Sequence, residues 1–146
     1  LGDVYKRQAF SEVRYPGAPS FDIHLIDSDF TIDETEITPI HVFHNQLPII
    51  GFKVKNLAYI TDASSIPDSE MEKLLNLDFL IINCLRKEEK HPAHFILPDV
   101  LELVKKLKPK KTYLTHISHK IGFYEQTEAE LPDNVHLAYD GLEIIF

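Results

Sequence analysis

Ile40-His41-Val42-Phe43-His44, Leu47-Pro48-Ile49-Ile50-Gly51-Phe52 and Ala58-Tyr59-Ile60-Thr61-Asp62 follow one another over little more than twenty residues. The segments are short, rich in β-branched and aromatic residues, and read as strands. The first and third end on side chains that can ligate a metal, His44 and Asp62. Lys55-Asn56 separates Ile49–Val54 from Leu57–Thr61 and reads as a hairpin turn. Upstream, Pro39 interrupts Glu36–His44, because proline cannot donate to a ladder, and the segment is expected at a sheet edge or strand entry. Phe30-Thr31-Ile32 is a short candidate strand. Phe21–Ile26 alternates, with Phe21, Ile23 and Leu25 on one face.

Downstream the pattern alternates strand and helix. Ser65 ahead of Pro67 and Asp68 reads as an N-cap followed by a first-turn proline, with Met71, Leu74 and Leu75 as the apolar stripe. Phe79–Leu85 is a continuous apolar run of strand length. Leu97, Val100, Leu101, Val104 and Leu107 recur at helical spacing, predicting a helix from Pro98 to Leu107 that Pro109 ends. Thr112–Thr115 is the next strand. His136–Tyr139 and Leu142–Phe146 are expected to pair across an Asp140-Gly141 turn. A β-rich start followed by β-α-β-α-β suits an α/β layered domain. The first strand has no evident upstream partner and the last runs to the chain end, so a bare sheet edge is expected.

At 44% hydrophobic and 26% charged, the 146 residues suffice for one globular core. No apolar run approaches the ~18 residues of a membrane span, and no signal-peptide pattern is evident, so the expected location is cytoplasmic. Cys84 is the single cysteine and is expected as a buried strand thiol. A formal charge of −8 argues against a general nucleic-acid surface, which needs a basic face. A small anionic substrate stays compatible, because bound cations can reverse the local field. Asp3-Val4-Tyr5-Lys6-Arg7-Gln8 resembles a translated sequencing adapter, so residues 1–8 are expected to be a non-native leader and 9–146 a partial domain.

His44, Asp62 and His116 each follow directly on an apolar strand, where sites form in open α/β sheets. Imidazole and carboxylate so placed suit zinc, manganese or iron, although histidines at strand ends are also common without a metal. Two further clusters are His91-Pro92-Ala93-His94 and Thr115-His116-Ile117-Ser118-His119. Strict alternation would turn His119 away from His116, unless the strand ends at His116.

The three opening segments, together with Asn83-Cys84-Leu85-Arg86, His91-Pro92-Ala93-His94, Leu114-Thr115-His116-Ile117-Ser118-His119 and the tail Leu137–Leu142, resemble the metallo-β-lactamase superfamily. The branch they resemble most is the phosphoribosyl cyclic phosphodiesterase group, related to the tRNA 3′-processing endonucleases. The resemblance implies the C-terminal half of a four-layer αββα sandwich. It also implies two divalent metals, zinc or manganese, with His44 and His116 each completing one site and Asp62 bridging them. His94 would touch the scissile phosphate as a general acid, and His119 would contact substrate or support a ligand. The implied reaction is attack of a metal-generated hydroxide on a small, cyclic phosphodiester.

The family's His-x-His-x-Asp-His signature does not occur in these 146 residues, so the ligand set is expected to be incomplete and this chain inactive by itself. Alternatives are a tRNA 3′-end endonuclease or thioester hydrolase of the same superfamily, and a poorly folded, non-catalytic fragment. The expected partner is a small phosphodiester. Nucleic acid and membrane are not expected, and a homodimer is allowed. His24 and His136 read as ordinary partly exposed histidines, His41 as facing away from His44, and His91 as bonding only its loop.

Overall fold

The computed structural model describes residues 24–146. The leader 1–8 and the first half of the Phe21–Ile26 segment lie outside them, and His24–Ile26 carry no strand. β1 (Phe30–Ile32), β2 (Thr35–His44), β3 (Leu47–Val54) and β4 (Leu57–Ile60) form an antiparallel meander. β5 (Phe79–Asn83), β6 (Lys111–Thr115) and β7 (Val135–Leu137) extend it in parallel, giving a seven-stranded sheet in chain order. α1 (Asp68–Met71), continued by a 3-10 turn at Glu72–Leu74, joins β4 to β5. α2 (Leu97–Leu107) and α3 (Tyr124–Glu130) make the next two crossovers. The α/β expectation holds, and α3 was not foreseen.

The meander is built from three hairpins whose loops are Asp33-Glu34, Asn45-Gln46 and Lys55-Asn56. Each first loop residue takes positive φ (51°, 57° and 49°), the sense of turn that matches strand twist. Gly51 lies opposite Ile40. A Cβ there would stand 2.9 Å from the Tyr59 carbonyl oxygen and 3.0 Å from Ile60 Cγ1, so β3 can approach β4 only without a side chain.

One sheet face forms the core. Ile40, Val42, Ala58, Ile60, Leu80, Ile82, Leu114, Val135 and Leu137 are all buried. α2 lays Leu97, Val100, Val104 and Leu107 on them, each worth roughly 1.5–3 kcal/mol when fully buried. The helix starts where Asp99 accepts the Ile96 N–H at 3.3 Å, and ends at Lys108, left-handed at φ 52°, whose N–H returns to the Val104 carbonyl. On the other face Phe52, Tyr59, Ile81, Tyr113 and His136 stand register to register and remain partly exposed.

Pro39 lies inside β2, opposite Phe52, on a stretch paired with β3 alone, so the sheet-edge expectation holds there while three others are corrected. Its missing N–H falls in the row facing away from β3, beyond the reach of β1, whose pairing stops at Ile37. In that row His41 donates to the Glu70 carboxylate and Phe43 to the Ser65 carbonyl. Ser65 therefore does not cap α1; it bridges Phe43, and the helix begins after Pro67 with no side-chain cap. Leu142–Phe146 is no strand: the Asp140-Gly141 turn forms, with Leu142 N–H bonded to the Tyr139 carbonyl, but the chain does not pair back on β7. Leu74 is buried as expected, whereas Leu75 is exposed.

Candidate metal centre

β2, β4, β5 and β6 all run in the same direction, so their C-terminal ends share one end of the sheet. His44 is the last residue of β2. Asp62 lies two residues past β4, and His116 one past β6. His94 sits on the loop from β5 to α2. Asp62 and His116 both take left-handed backbone, φ 59° and 55°, which costs an L-residue roughly 1–2 kcal/mol. Non-glycine residues held this way cluster at functional sites.

The four side chains meet around Asp62. Its Oδ1 is 3.4 Å from His116 Nε2 and 4.0 Å from His94 Nδ1. One ligand atom from each of His44, Asp62 and His94 lies within 4.8 Å of the others. The His94 ring is the centrepiece, 4.9 Å from the His44 ring and 4.7 Å from that of His116. Its Nδ1 is buried with no hydrogen-bond partner among the described residues, an arrangement that costs about 1–3 kcal/mol when nothing occupies the lone pair or takes the proton. Burial, then the neighbouring imidazoles of His116, His91 and His44, hold His94 below the usual histidine range; the Asp62 charge opposes them and loses. Imidazoles around a carboxylate, with one orphaned nitrogen, are the donor set a divalent cation takes. These residues fit a metal.

His91 does more than bond its loop. Its Nδ1 accepts the Ala93 N–H at 3.3 Å, and its ring stacks on His94 at 4.9 Å and 19°. Both line a cleft of about 430 Å³ together with the apolar Ile66, Met71, Phe95 and Leu103, the basic Lys90 and Lys106, and the acidic Asp68, Asp99 and Glu102. His119 opens a 3-10 turn, is exposed, and shows no contact with the cluster among the described residues. His41 is exposed on β2, and His136 bonds Glu128 at 2.8 Å. Cys84 is fully buried just past β5, and burial followed by the nearby Asp99 charge pushes its thiol up to about 12. Asn83, fully buried beside the site, was passed over; the available signal was a lone carboxamide inside the Phe79–Leu85 apolar run.

The family described as Beta-lactamase superfamily domain matches residues 2–117. A crystal structure of a diphosphatase from the PhnP family superposes with a TM-score of 0.83 at 37% identity, covering 88% of this chain and 50% of that one. Human tRNase Z, short form, gives a TM-score of 0.60 at 21% identity over 77% of this chain and 44% of that one. A protein named octanoyltransferase from Porphyromonas gingivalis (strain ATCC BAA-308 / W83) is 30% identical over 138 residues, 93% of this chain and 28% of its own length. The chain thus spans half of the diphosphatase and about a quarter of the octanoyltransferase. A family match over most of the chain, on a sheet whose strand ends gather His44, Asp62, His94 and His116, makes this chain a member of the metallo-β-lactamase superfamily.

Proposed function

We propose that this chain forms the part of a metal-dependent phosphodiester hydrolase that closes the metal centre and supplies a proton donor. The carrying observation is Asp62 Oδ1 standing 3.4 Å from His116 Nε2 and within ligand reach of His44 and His94. The likeness to a PhnP-family diphosphatase supports phosphorus chemistry over the other chemistries of the superfamily.

In this reading His44, Asp62 and His116 would hold the divalent metal, zinc or manganese. A divalent ion at such a centre supplies a Lewis acid toward phosphoryl oxygens and a nucleophile at neutral pH. His94 borders both the donors and the cleft, so it can pass a proton to a leaving oxygen lying there. The cleft takes the part of the ester that departs. The −8 charge of the chain favours a small phosphodiester over a nucleic acid.

The test is turnover by this chain, and by the longest natural polypeptide containing it, of a cyclic ribose phosphate, a precursor tRNA and a thioester with zinc or manganese present. The expected result is hydrolysis of the cyclic phosphate by the longer polypeptide, abolished by Asp62→Asn, with none by this chain alone. Turnover confined to the tRNA or the thioester overturns the substrate assignment.

A further inference from the structure

Asn83 is the last residue of β5 and has no exposed surface. Its carboxamide is committed to one residue at the end of the neighbouring strand. Oδ1 accepts the Ala63 N–H at 2.8 Å, and Nδ2 donates to the Ala63 carbonyl at 2.9 Å. The same carbonyl accepts the Phe95 N–H at 2.8 Å. Ala63 follows Asp62, and Phe95 follows His94. The next residue along, Cys84, donates its N–H to the Thr115 carbonyl at 2.8 Å, immediately before His116. Leu85 donates to the Phe95 carbonyl, and its own carbonyl accepts from the Ser118 N–H and hydroxyl. The chain from Asn83 to Leu85 thus fastens the backbone beside three of the four donors.

We propose that Asn83 is a positioning residue for Asp62 and His94. The assignment rests on reading Asp62 as a metal ligand. Asp62 sits at φ 59°, a left-handed conformation that aspartate can adopt and whose peptide planes its neighbours hold. Ala63 is fully buried, so no water replaces the carboxamide if it is removed. A side chain that matches donor to carbonyl and acceptor to N–H fixes both peptide planes of Ala63. The plane on its N-terminal side is the one Asp62 ends on. The shared carbonyl passes the same restraint to Phe95, so the spacing of Asp62 and His94 is set by one amide group that touches neither. Partners that orient ligands in this way typically carry 10–100-fold in metal affinity.

Manganese titrated into the isotope-labelled chain provides a readout independent of turnover, through paramagnetic broadening of the His44, His94 and His116 ring signals. Asn83→Leu removes both hydrogen bonds at similar volume. Asn83→Asp keeps the acceptor, loses the donor, and serves where the leucine variant does not fold. Val104→Ala, in the core on α2, lowers stability without touching the clamp. The expected result is that both Asn83 variants need roughly 10–100-fold more manganese for half-broadening, while Val104→Ala stays within about twofold of the native chain. Native manganese response in the Asn83 variants, with the response lost in Asp62→Asn, overturns the positioning role and leaves the metal reading standing. Equal weakening by Val104→Ala also overturns it, since general loss of stability would then suffice. A native chain without broadening, or Asp62→Asn responding like the native chain, overturns the metal reading and the proposal with it.

Discussion

His94 carries the sharpest division of roles at the scale of single residues. It stands within the donor group, yet it also faces the cleft. As a proton donor, His94→Ala in the longer polypeptide lowers the maximal rate by about 10²–10⁴-fold with metal content intact. Metal analysis alongside the rate checks this, and loss of metal with activity would place His94 among the ligands. His44, Asp62, His94 and His116 were all legible beforehand, because each stands at the end of a strand-like segment or in a short His-containing motif. Asn83 and His91 were not. A carboxamide in an apolar run looks the same whether it clamps a neighbouring loop or merely ends a strand, and stacking of two histidines three residues apart depends on the loop's path. His119 opens the 3-10 turn that follows His116 and is exposed; because the strand stops at Thr115, strand alternation does not fix which way it faces.

Among the elements, α1 is too short to hold itself and is fixed by side chains. Glu70 accepts the His41 N–H at 2.9 Å and the Lys73 ammonium at 2.8 Å, and Lys73 also reaches the Pro39 carbonyl. Burial would raise the Glu70 carboxyl, but the Lys73 and His41 hydrogen bonds outweigh it and hold the group below its ordinary 4.5. A lowered folded value means the stabilisation is present above pH 4.5 and is lost as pH falls through the folded value. Glu70→Gln is expected to cost about 1.5–3 kcal/mol at pH 7, with the gap closing as pH falls below 4.5 through the folded value. Thermal melts from pH 3 to 7 measure it; a constant gap would mean that charge is not what secures the helix. The Lys55-Asn56 hairpin and α2 were legible because their apolar periods are clean, whereas the Asp33-Glu34 and Asn45-Gln46 turns were not read. α3 was hidden because Tyr-Glu-Gln-Thr-Glu-Ala-Glu offers no apolar stripe, and Thr127 is its buried residue.

For the whole molecule, donor count sets the expectation. The described residues bring two ligand imidazoles, His44 and His116, and the Asp62 carboxylate to the centre beside His94, and the family's His-x-His-x-Asp-His signature is absent from the 146 residues. Two ions sharing so few protein ligands would be held weakly. Zinc at ~100 μM is therefore expected to raise the melting temperature of this chain by less than about 2 °C, with no phosphodiester turnover. A larger shift accompanied by turnover would show that these donors suffice.

The change from antiparallel to parallel pairing at β4 also sets an order in time. β2, β3 and β4 close on one another across two-residue loops, and such hairpins form within ~1–10 μs. β5, β6 and β7 must each wait for a crossover to close before their contacts repay it. His44 and Asp62 arrive with the quick half, His94 and His116 with the slow one. A chain caught midway therefore has most of its meander and only half of its donors, and the centre is among the last things this sequence builds.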